Sequence, residues 1–294
     1  MTRAPEPPRR RGAAMTADPG AALRALHRPG APFVLANAWD RGSARVLAAL
    51  GAQAIGTTSA GFAFTRGLPD GARVTLDDTL AHCADLVGAT PLPVSGDLEN
   101  GFAEAPEGVA RTVRLAAEAG LAGCSIEDTD LPGDGAYAFF LATERIRAAA
   151  AAARALARDF VLVARADGLM TGAYGLREAI SRAQAFAEAG ADCVYVPMLP
   201  DLGALATFCR AAQAPVNALA AGPLAAATLA DFAAAGAARI SIGSGLARVA
   251  HGALAAAARE ILADGRFESL GRGAKGADIE ALLIRGAGGS DDDP

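Results

Sequence analysis

Acidic side chains stand at the ends of two successive apolar runs in this chain. The run PVSG leads into Asp97 and Glu99, and the run GCSI leads into Glu127. Residues i and i+2 of a strand point to the same side, so Asp97 and Glu99 are expected to face one site. Carboxylates that converge in this way cannot all stay ionised without a cation among them. Oxygen ligands without His or Cys favour Mg²⁺, with Mn²⁺ as a second option, over zinc.

A structural role for these acids is the alternative. Isolated carboxylates usually cap helices or pair with Arg and Lys at the rim of a protein. Acids at the tips of two adjacent strands favour a functional site instead. Other polar residues end further apolar runs: Thr58 and Ser59 follow AIGT, and Arg165 ends FVLVAR.

The remaining reactive residue types exclude several mechanisms. The three histidines, His27, His82 and His251, fall in the head of the chain or on helical patterns, so a Ser-His-Asp or Cys-His mechanism is not expected. The four cysteines form no C-x-x-C pair and are expected to be small buried side chains in a reducing cytoplasm. The stretch GSGLAR, residues 243–248, could cradle a phosphate or form a tight turn into a helix.

The elements that must position these residues repeat along the chain. Strand-like runs alternate with helical patterns rich in Ala, Leu, Arg and Glu, and several helices end in Ala-Gly just before the next run. The runs lie at 33–37, 54–58, 92–97, 123–127, 160–165, 193–197, 215–219 and 239–243. This repeat predicts a closed (β/α)8 TIM barrel, whose site lies at the carboxyl ends of the strands. An open doubly wound sheet is the alternative, but NAWDRGSAR stands where that fold needs a G-x-G-x-x-G turn.

Length and composition limit the partners and the domain plan. Of 294 residues 52% are hydrophobic, which is enough for a sizeable core, and the net charge of −5 argues against nucleic acid and anionic membranes. No apolar run reaches the ~20 residues of a membrane helix, and a cytoplasmic protein is expected. We predict a disordered extension over 1–17, a catalytic barrel over 18–270 and a C-terminal tail over 271–294.

Taken in order, several segments resemble the isocitrate lyase / phosphoenolpyruvate mutase superfamily over residues 20–265. The matching segments are LANAWDRGSARVLAALGAQAIGTTSAGFAFTRGLPDG, PVSGDLENGFAEAPEGVARTVRLAAEAGLAGCSIED, VARADGL, EAGADCVYVP and APVNALAAG. The resemblance implies a Mg²⁺-dependent barrel that acts on a small carboxylate, a 2-oxo acid, through an enolate. It also implies a homodimer or homotetramer. Helix 251–265 could be swapped between barrels or could pack on its own barrel.

The resemblance also implies roles for individual residues. Glu99 is similar to the direct metal ligand, and three further acids match those that hold metal-bound waters: Asp70, Asp97 and Glu127. The substrate-binding positions of the family match the loop Thr58, Ser59 and Ala60, the carboxylate-binding Arg165, the polar Asn217 and the aromatic Trp39. A divalent cation and aimed N–H donors would stabilise the enolate charge, and Arg165 would hold a carboxylate by a planar two-point contact.

One departure from the family bears on the reaction. Lyases of this superfamily carry a K-[KR]-C-G-H stretch after strand 4, whereas this chain has EDTDLPGDGAYAFF, without Lys, Cys or His. The mutases and phosphonopyruvate hydrolases place Lys or Asn on that loop, and neither residue occurs in this stretch. Decarboxylation needs no acid on the departing CO₂, and Tyr137 could supply a later proton. The sequence therefore favours an oxaloacetate decarboxylase-like lyase, with P–C bond chemistry or a non-catalytic metabolite-binding barrel as alternatives.

Overall fold

Eight parallel strands close into a barrel in chain order in the computed structural model, which describes residues 18–71 and 73–288. The strands are β1 Phe33–Asn37, β2 Ile55–Gly56, β3 Val94–Asp97, β4 Gly123–Glu127, β5 Val161–Arg165, β6 Cys193–Tyr195, β7 Val216–Leu219 and β8 Arg239–Ser241. Closure is complete because β8 pairs with β1, with Arg239 opposite Phe33. The predicted (β/α)8 barrel is confirmed, and the open sheet is wrong.

Helices connect the strands on the outside of the barrel. They are α1 Pro19–Leu26, α2 Arg41–Ala49, α3 Ser59–Thr65, α4 Leu76–Val87, α5 Pro106–Glu118, α6 Phe139–Arg154, α7 Gly168–Thr171, α8 Leu176–Glu188, α9 Leu202–Ala211, α10 Leu229–Ala234, α11 Gly245–Asp264 and α12 Gly276–Gly286. Two short 3-10 turns, Gly222–Leu224 and Glu268–Arg272, lie among them.

Glycines end the helices where the Ala-Gly pattern predicted them. Gly120, Gly190 and Gly236 follow α5, α8 and α10 with φ of +91°, +107° and +95°. Residues with a Cβ rarely adopt this left-handed conformation, so glycine lets the chain turn sharply from each helix into the next strand.

The core has an outer and an inner part. The outer part packs the helices against the barrel, and the inner part fills the lower barrel with Phe33, Leu35, Val161 and Val163. Leu23 of α1 is fully buried in the inner part. The barrel interior at the carboxyl ends of the strands carries polar and charged side chains, whereas the interior at the amino ends is apolar.

The C-terminal segment departs from its prediction as a tail. Helix α12 lies within 271–294 and packs on α2 so closely that a Cβ on Gly286 would lie 1.9 Å from the carbonyl oxygen of Arg45. The predicted extension, 1–17, lies outside the described residues, as do 289–294, and the domain boundaries stay predictions. The four cysteines are free, and all but the half-buried Cys209 are buried. Within the described residues, no helix is long and apolar enough to cross a bilayer.

Candidate active site

A cavity of about 310 Å³ opens at the carboxyl ends of the strands. Six of the predicted site residues line it together: Thr58, Ser59, Ala60, Asp70, Asp97 and Arg165. They come from the loops after β2 and from the ends of β3 and β5, far apart in sequence. The closed barrel brings them to one face, as the position of the strand ends predicted.

Arg165 lies at the centre of an ion-pair cluster. Its guanidinium is 3.0 Å from the carboxylates of Asp97 and of Glu127, and it makes a two-point contact of 3.1 Å and 2.5 Å with Asp167. Burial alone would lower the pKa of Arg165, but the three carboxylates raise it well above its ordinary value. Arg165 therefore makes with Asp167 the two-point contact that the resemblance implied for a substrate carboxylate.

Asp97 joins this cluster to the loop after β2. Its Oδ2 accepts hydrogen bonds from the backbone N–H of Ser59, at 3.1 Å, and from the hydroxyl of Ser59, at 3.0 Å. The backbone N–H and the hydroxyl of Ser59, a residue expected to bind substrate, are thus both bound to Asp97 in this structure. Thr58 caps α3 by accepting from the N–H of Gly61, which leaves its hydroxyl on the cavity wall.

The other predicted metal acids surround the cluster. Glu127 is buried behind Arg165, and burial raises its pKa well above the ordinary value. The charge of Arg165 lowers this pKa, whereas the nearby carboxylates of Asp167, Asp97 and Glu99 raise it further. Burial, with a contribution from Asp97, also raises the pKa of Asp70. Crowded carboxylates with raised pKa values are a donor set that fits a divalent cation.

The four acids do not form one ready-made cage. Among the described residues, no three His, Cys, Asp or Glu side chains are grouped closely enough to hold a metal ion. The reason is that Arg165 stands between Asp97 and Glu127, and that Glu99 leaves the strand with a φ of +47°. Glu99 borders a smaller neighbouring cavity, which it shares with Asp97. Asp97 and Glu99 thus both line this smaller cavity, while Asp97 alone of the two also lines the larger one.

Two predicted substrate residues do not lie on the cavity wall. Trp39 is half-buried and packs against α3, because a Cβ added to Gly61 would lie 2.9 Å from the Cβ of Trp39. Asn217 is fully buried within β7, and its amide donates to the hydroxyl of Ser241 at 2.9 Å. Neither side chain lines the cavity in this structure, so direct substrate contacts for Trp39 and Asn217 are not supported.

Sequence reasoning missed a buried network under the cluster. The carboxylate of Asp128 accepts from the backbone N–H of Asp167 at 2.8 Å, from the hydroxyl of Tyr174 at 2.7 Å and from Arg182 at 3.1 Å. Burial raises the pKa of Asp128, and its donors partly offset that effect. The network fixes the loop that carries Asp167. An Arg on the inward face of a helical pattern, as in α8, was the available signal.

The loop after β4 does not bring an acid into the cavity. The hydroxyl of Tyr137 accepts from the amide of Asn100 at 3.0 Å, and its ring lies 4.0 Å from the guanidinium of Arg145. Tyr137 is buried and lies off the cavity wall. The sequence suggestion that Tyr137 supplies a proton is therefore not supported by its position.

Comparison with known proteins agrees with this architecture. Residues 23–262 match the family model described as phosphoenolpyruvate phosphomutase. The chain belongs to this family. Its place in the isocitrate lyase / phosphoenolpyruvate mutase superfamily, expected from the quoted segments, is confirmed, and members of the superfamily are lyases and mutases that act on small carboxylates.

Individual relatives span most of the chain. A solved lyase/mutase structure from Burkholderia cenocepacia J2315 is 45% identical with a TM-score of 0.85 and covers 90% of this chain and 95% of that one. The 2-methylisocitrate lyase of Salmonella typhimurium is 34% identical over 67% of this chain and 68% of its own length. Oxaloacetate acetylhydrolase in complex with oxalate is 26% identical with a TM-score of 0.80, over 90% and 94%.

Proposed function

We propose that this protein is a Mg²⁺-dependent carbon-carbon lyase for a small 2-oxo or 2-hydroxy dicarboxylate, most simply an oxaloacetate decarboxylase. The cavity is lined by Asp70, Asp97 and Arg165, and by the hydroxyls of Thr58 and Ser59. Such a wall can bind a carboxylate and stabilise an enolate. The relatives include an enzyme of 2-methylisocitrate and one of oxaloacetate, both of which act on such acids.

The observation that carries the choice of decarboxylation is the chemistry of the wall. None of the described residues that line the cavity is Cys, His or Lys, Tyr137 is held away from it by Asn100, and burial raises the pKa of Tyr195, on the deeper wall, to about 12. A leaving carbanion needs a proton from such a group, whereas CO₂ leaves without one. Water can protonate the enolate that remains.

The acids at the strand tips fit Mg²⁺ as the cofactor, with Mn²⁺ as an alternative. Glu99, Asp97, Asp70 and Glu127 would hold it, because hard oxygen ligands suit this ion and its charge would offset their repulsion. When bound, the ion supplies Lewis-acid stabilisation of the enolate oxygen. Ser59 and Thr58 orient the substrate beside it, and Arg165 keeps Asp97 and Glu127 in place.

Phosphorus-carbon chemistry is the second candidate. Gly243, Ser244, Gly245 and Arg248 line the rim of the same cavity at the start of α11. A phosphonate group fits a glycine-rich rim with one arginine. A phosphoenolpyruvate mutase-like or phosphonopyruvate hydrolase-like enzyme would use these residues, whereas a metabolite-binding barrel would turn nothing over.

A substrate panel tests these alternatives. The purified chain is assayed with Mg²⁺ on oxaloacetate, 2-methylisocitrate, dimethylmalate, phosphonopyruvate and phosphoenolpyruvate, with pyruvate and phosphate release measured together. Pyruvate without phosphate supports the lyase, and phosphate from phosphonopyruvate supports the second candidate. Glu99→Ala should abolish Mg²⁺-dependent turnover with the fold intact, and the exposed neighbour Glu104→Ala serves as the matched control. Full activity of Glu99→Ala would contradict the metal assignment.

The enzyme is further proposed to assemble as a homodimer or homotetramer through α11. Of the described α11 residues only Ala247 is buried, while Val249, Leu254 and Leu262 are 66–85% exposed. Val34 on the neighbouring β1 is also 42% exposed, although barrel strands are normally covered by helices. An apolar surface of this kind supports a contact with a second copy. Light scattering of the wild type and of Leu254→Glu tests it, and a wild-type monomer would refute it.

A further inference from the structure

The cavity continues below the ion-pair cluster into the barrel interior. Its deeper wall is formed by Ser95, Ser125, Tyr195 and Ser241, and Arg239 also lines it. Bulky aliphatic side chains normally fill this part of a (β/α)8 barrel. Three serines and one tyrosine above a charged side chain are therefore a departure from ordinary packing, and the small serines leave room for a ligand.

Arg239 lies at the bottom of this polar shaft. It begins β8 two residues before Ser241, so its Cα lies roughly 6.6 Å deeper along the strand. The residue is 5% exposed, and its Nε and Nη1 atoms are buried without a hydrogen-bond partner. Within the described chain, Arg239 forms no ion pair with a carboxylate, in contrast to Arg165 with its three.

An unpaired guanidinium in this position requires a counter-charge. Arginine does not lose its proton in proteins, and a buried charge without a partner is costly. The Oδ1 atom of Asn217, on the paired position of β7, is likewise buried and unpartnered, but a neutral amide offsets no charge. Burial indeed lowers the pKa of Arg239. An anion that enters through the cavity fits both the charge and the space.

We propose that Arg239 and the shaft above it form the subsite for the carboxylate that substrate and product share. This inference rests on the proposed lyase function and names the group that Arg239 recognises. Arg239 would then make the carboxylate contact that the family resemblance implied for Arg165, whose guanidinium makes its two-point contact with Asp167.

The retained carboxylate is the appropriate partner on chemical grounds. If Arg239 held the carboxylate that departs as CO₂, the ion pair would stabilise the substrate more than the transition state and slow the reaction. A carboxylate that keeps its charge throughout can be held equally in substrate, enolate and product. Arg239 should therefore act on binding, with little effect on the bond-breaking step.

Equilibrium binding of pyruvate tests this subsite without turnover. Calorimetry with Mg²⁺ in excess and in chloride-free buffer compares the full-length wild type with Arg239→Met, Arg239→Lys and Arg111→Met. We expect Arg239→Met to weaken pyruvate binding by about 10- to 100-fold, the usual value of a charged hydrogen bond, with partial recovery in Arg239→Lys. Arg111 is exposed on α5 and does not line the cavity, so its variant should stay within about twofold. Mg²⁺ affinity without pyruvate should be unchanged in every variant.

Several results would overturn the subsite. Unchanged pyruvate affinity in Arg239→Met would do so, as would an equal loss of Mg²⁺ affinity, which would indicate a general structural role. If Arg239→Met fails to fold, unchanged affinity in Arg239→Lys and Arg239→Gln has the same meaning. Chloride that stabilises the wild type through Arg239 without competing with pyruvate would show a free inorganic anion at this position.

The outcome also separates this inference from the proposed function. A wild type that binds pyruvate while the Arg239 variants bind it equally well leaves the lyase intact and removes the subsite. A wild type that binds phosphonopyruvate but not pyruvate removes the lyase, and the same variants then test Arg239 on that ligand. A wild type that binds neither removes both.

Discussion

Replacement of Arg145 by Met should loosen the loop that carries Glu99 more than it loosens the rest of the barrel. Arg145 of α6 is 1% exposed, and its guanidinium donates to the carbonyls of Asn100, Ala103 and Glu127. These carbonyls belong to the loop after β3 and to the end of β4. A single side chain therefore holds both acidic strand tips at once.

The magnitude follows from the groups that lose their donor. Each buried carbonyl left without a partner costs about 1–3 kcal/mol, and removal of the buried charge returns part of that cost. We expect a net loss of about 2–4 kcal/mol in the free energy of unfolding for Arg145→Met. Glu99 and Phe102 have φ of +47° and +55°, and such conformations store about 1–3 kcal/mol each. The strained loop should therefore open locally before the barrel unfolds.

Hydrogen exchange of segment 98–104 and urea unfolding measure the two effects separately. Arg158→Met is the matched control, because Arg158 also donates to three carbonyls, those of Ala117, Leu121 and Asp159, but lies before β5 at the opposite end of the barrel. The control should lose stability without faster exchange in 98–104. Equal exchange of that segment in both variants, or wild-type stability in Arg145→Met, would refute the positioning role.

Three further predictions concern the rest of the molecule. Burial holds the pKa of His27 and of His82 at about 4, so both stay neutral in the folded protein. Their contribution to the free energy of unfolding is complete above pH ~6.5 and is lost as pH falls towards 4, by about 2 kcal/mol per histidine between pH 7 and 5. His82→Asn should reduce this pH dependence in urea unfolding. Gly286→Ala should detach α12 from α2 and expose it to proteolysis, whereas Gly276→Ala, with open space around it, should not. Tyr174→Phe should cost about 1–3 kcal/mol because Asp128 loses a buried donor, and wild-type stability would contradict this.

The barrel could be predicted because its signals are local and repeated. Each apolar run, such as FVLAN at 33–37 or GCSIE at 123–127, matches a strand within a few residues, and helices such as α5, α8 and α10 end at a glycine with positive φ. Helix α12 was missed because its inward contact depends on Gly286 lying against Arg45, a close approach that composition does not reveal. Glycines suggested a tail because they are common in irregular chain, but here the missing side chain of Gly286 lets α12 lie directly against α2.

The candidate site could be predicted only as far as strand ends define it. Thr58, Ser59, Asp97 and Arg165 meet because the barrel closes. The partners of each side chain were not predictable, since Arg165 could have faced a ligand and instead binds Asp167. Strand alternation also stops at Asp97, where β3 ends, so it could not place Glu99. Arg239 did have a signal: it is a charged residue at an inward position of a barrel strand.

The carboxylates at two adjacent strand tips are best understood as one electrostatic unit with Arg165. Asp97, Glu127 and Asp167 carry three negative charges when ionised, and Arg165 offsets one of them. Burial, reinforced by the neighbouring carboxylates, raises the pKa of Glu127, and a divalent cation is the ion whose charge would offset the excess negative charge. Within the described chain, Arg239 donates no hydrogen bond to this unit and forms no ion pair with it, so its charge stays available for a ligand. The two arginines thus have different roles, since Arg165 forms ion pairs with Asp97, Glu127 and Asp167, while Arg239 has no carboxylate partner and is proposed to bind an anion.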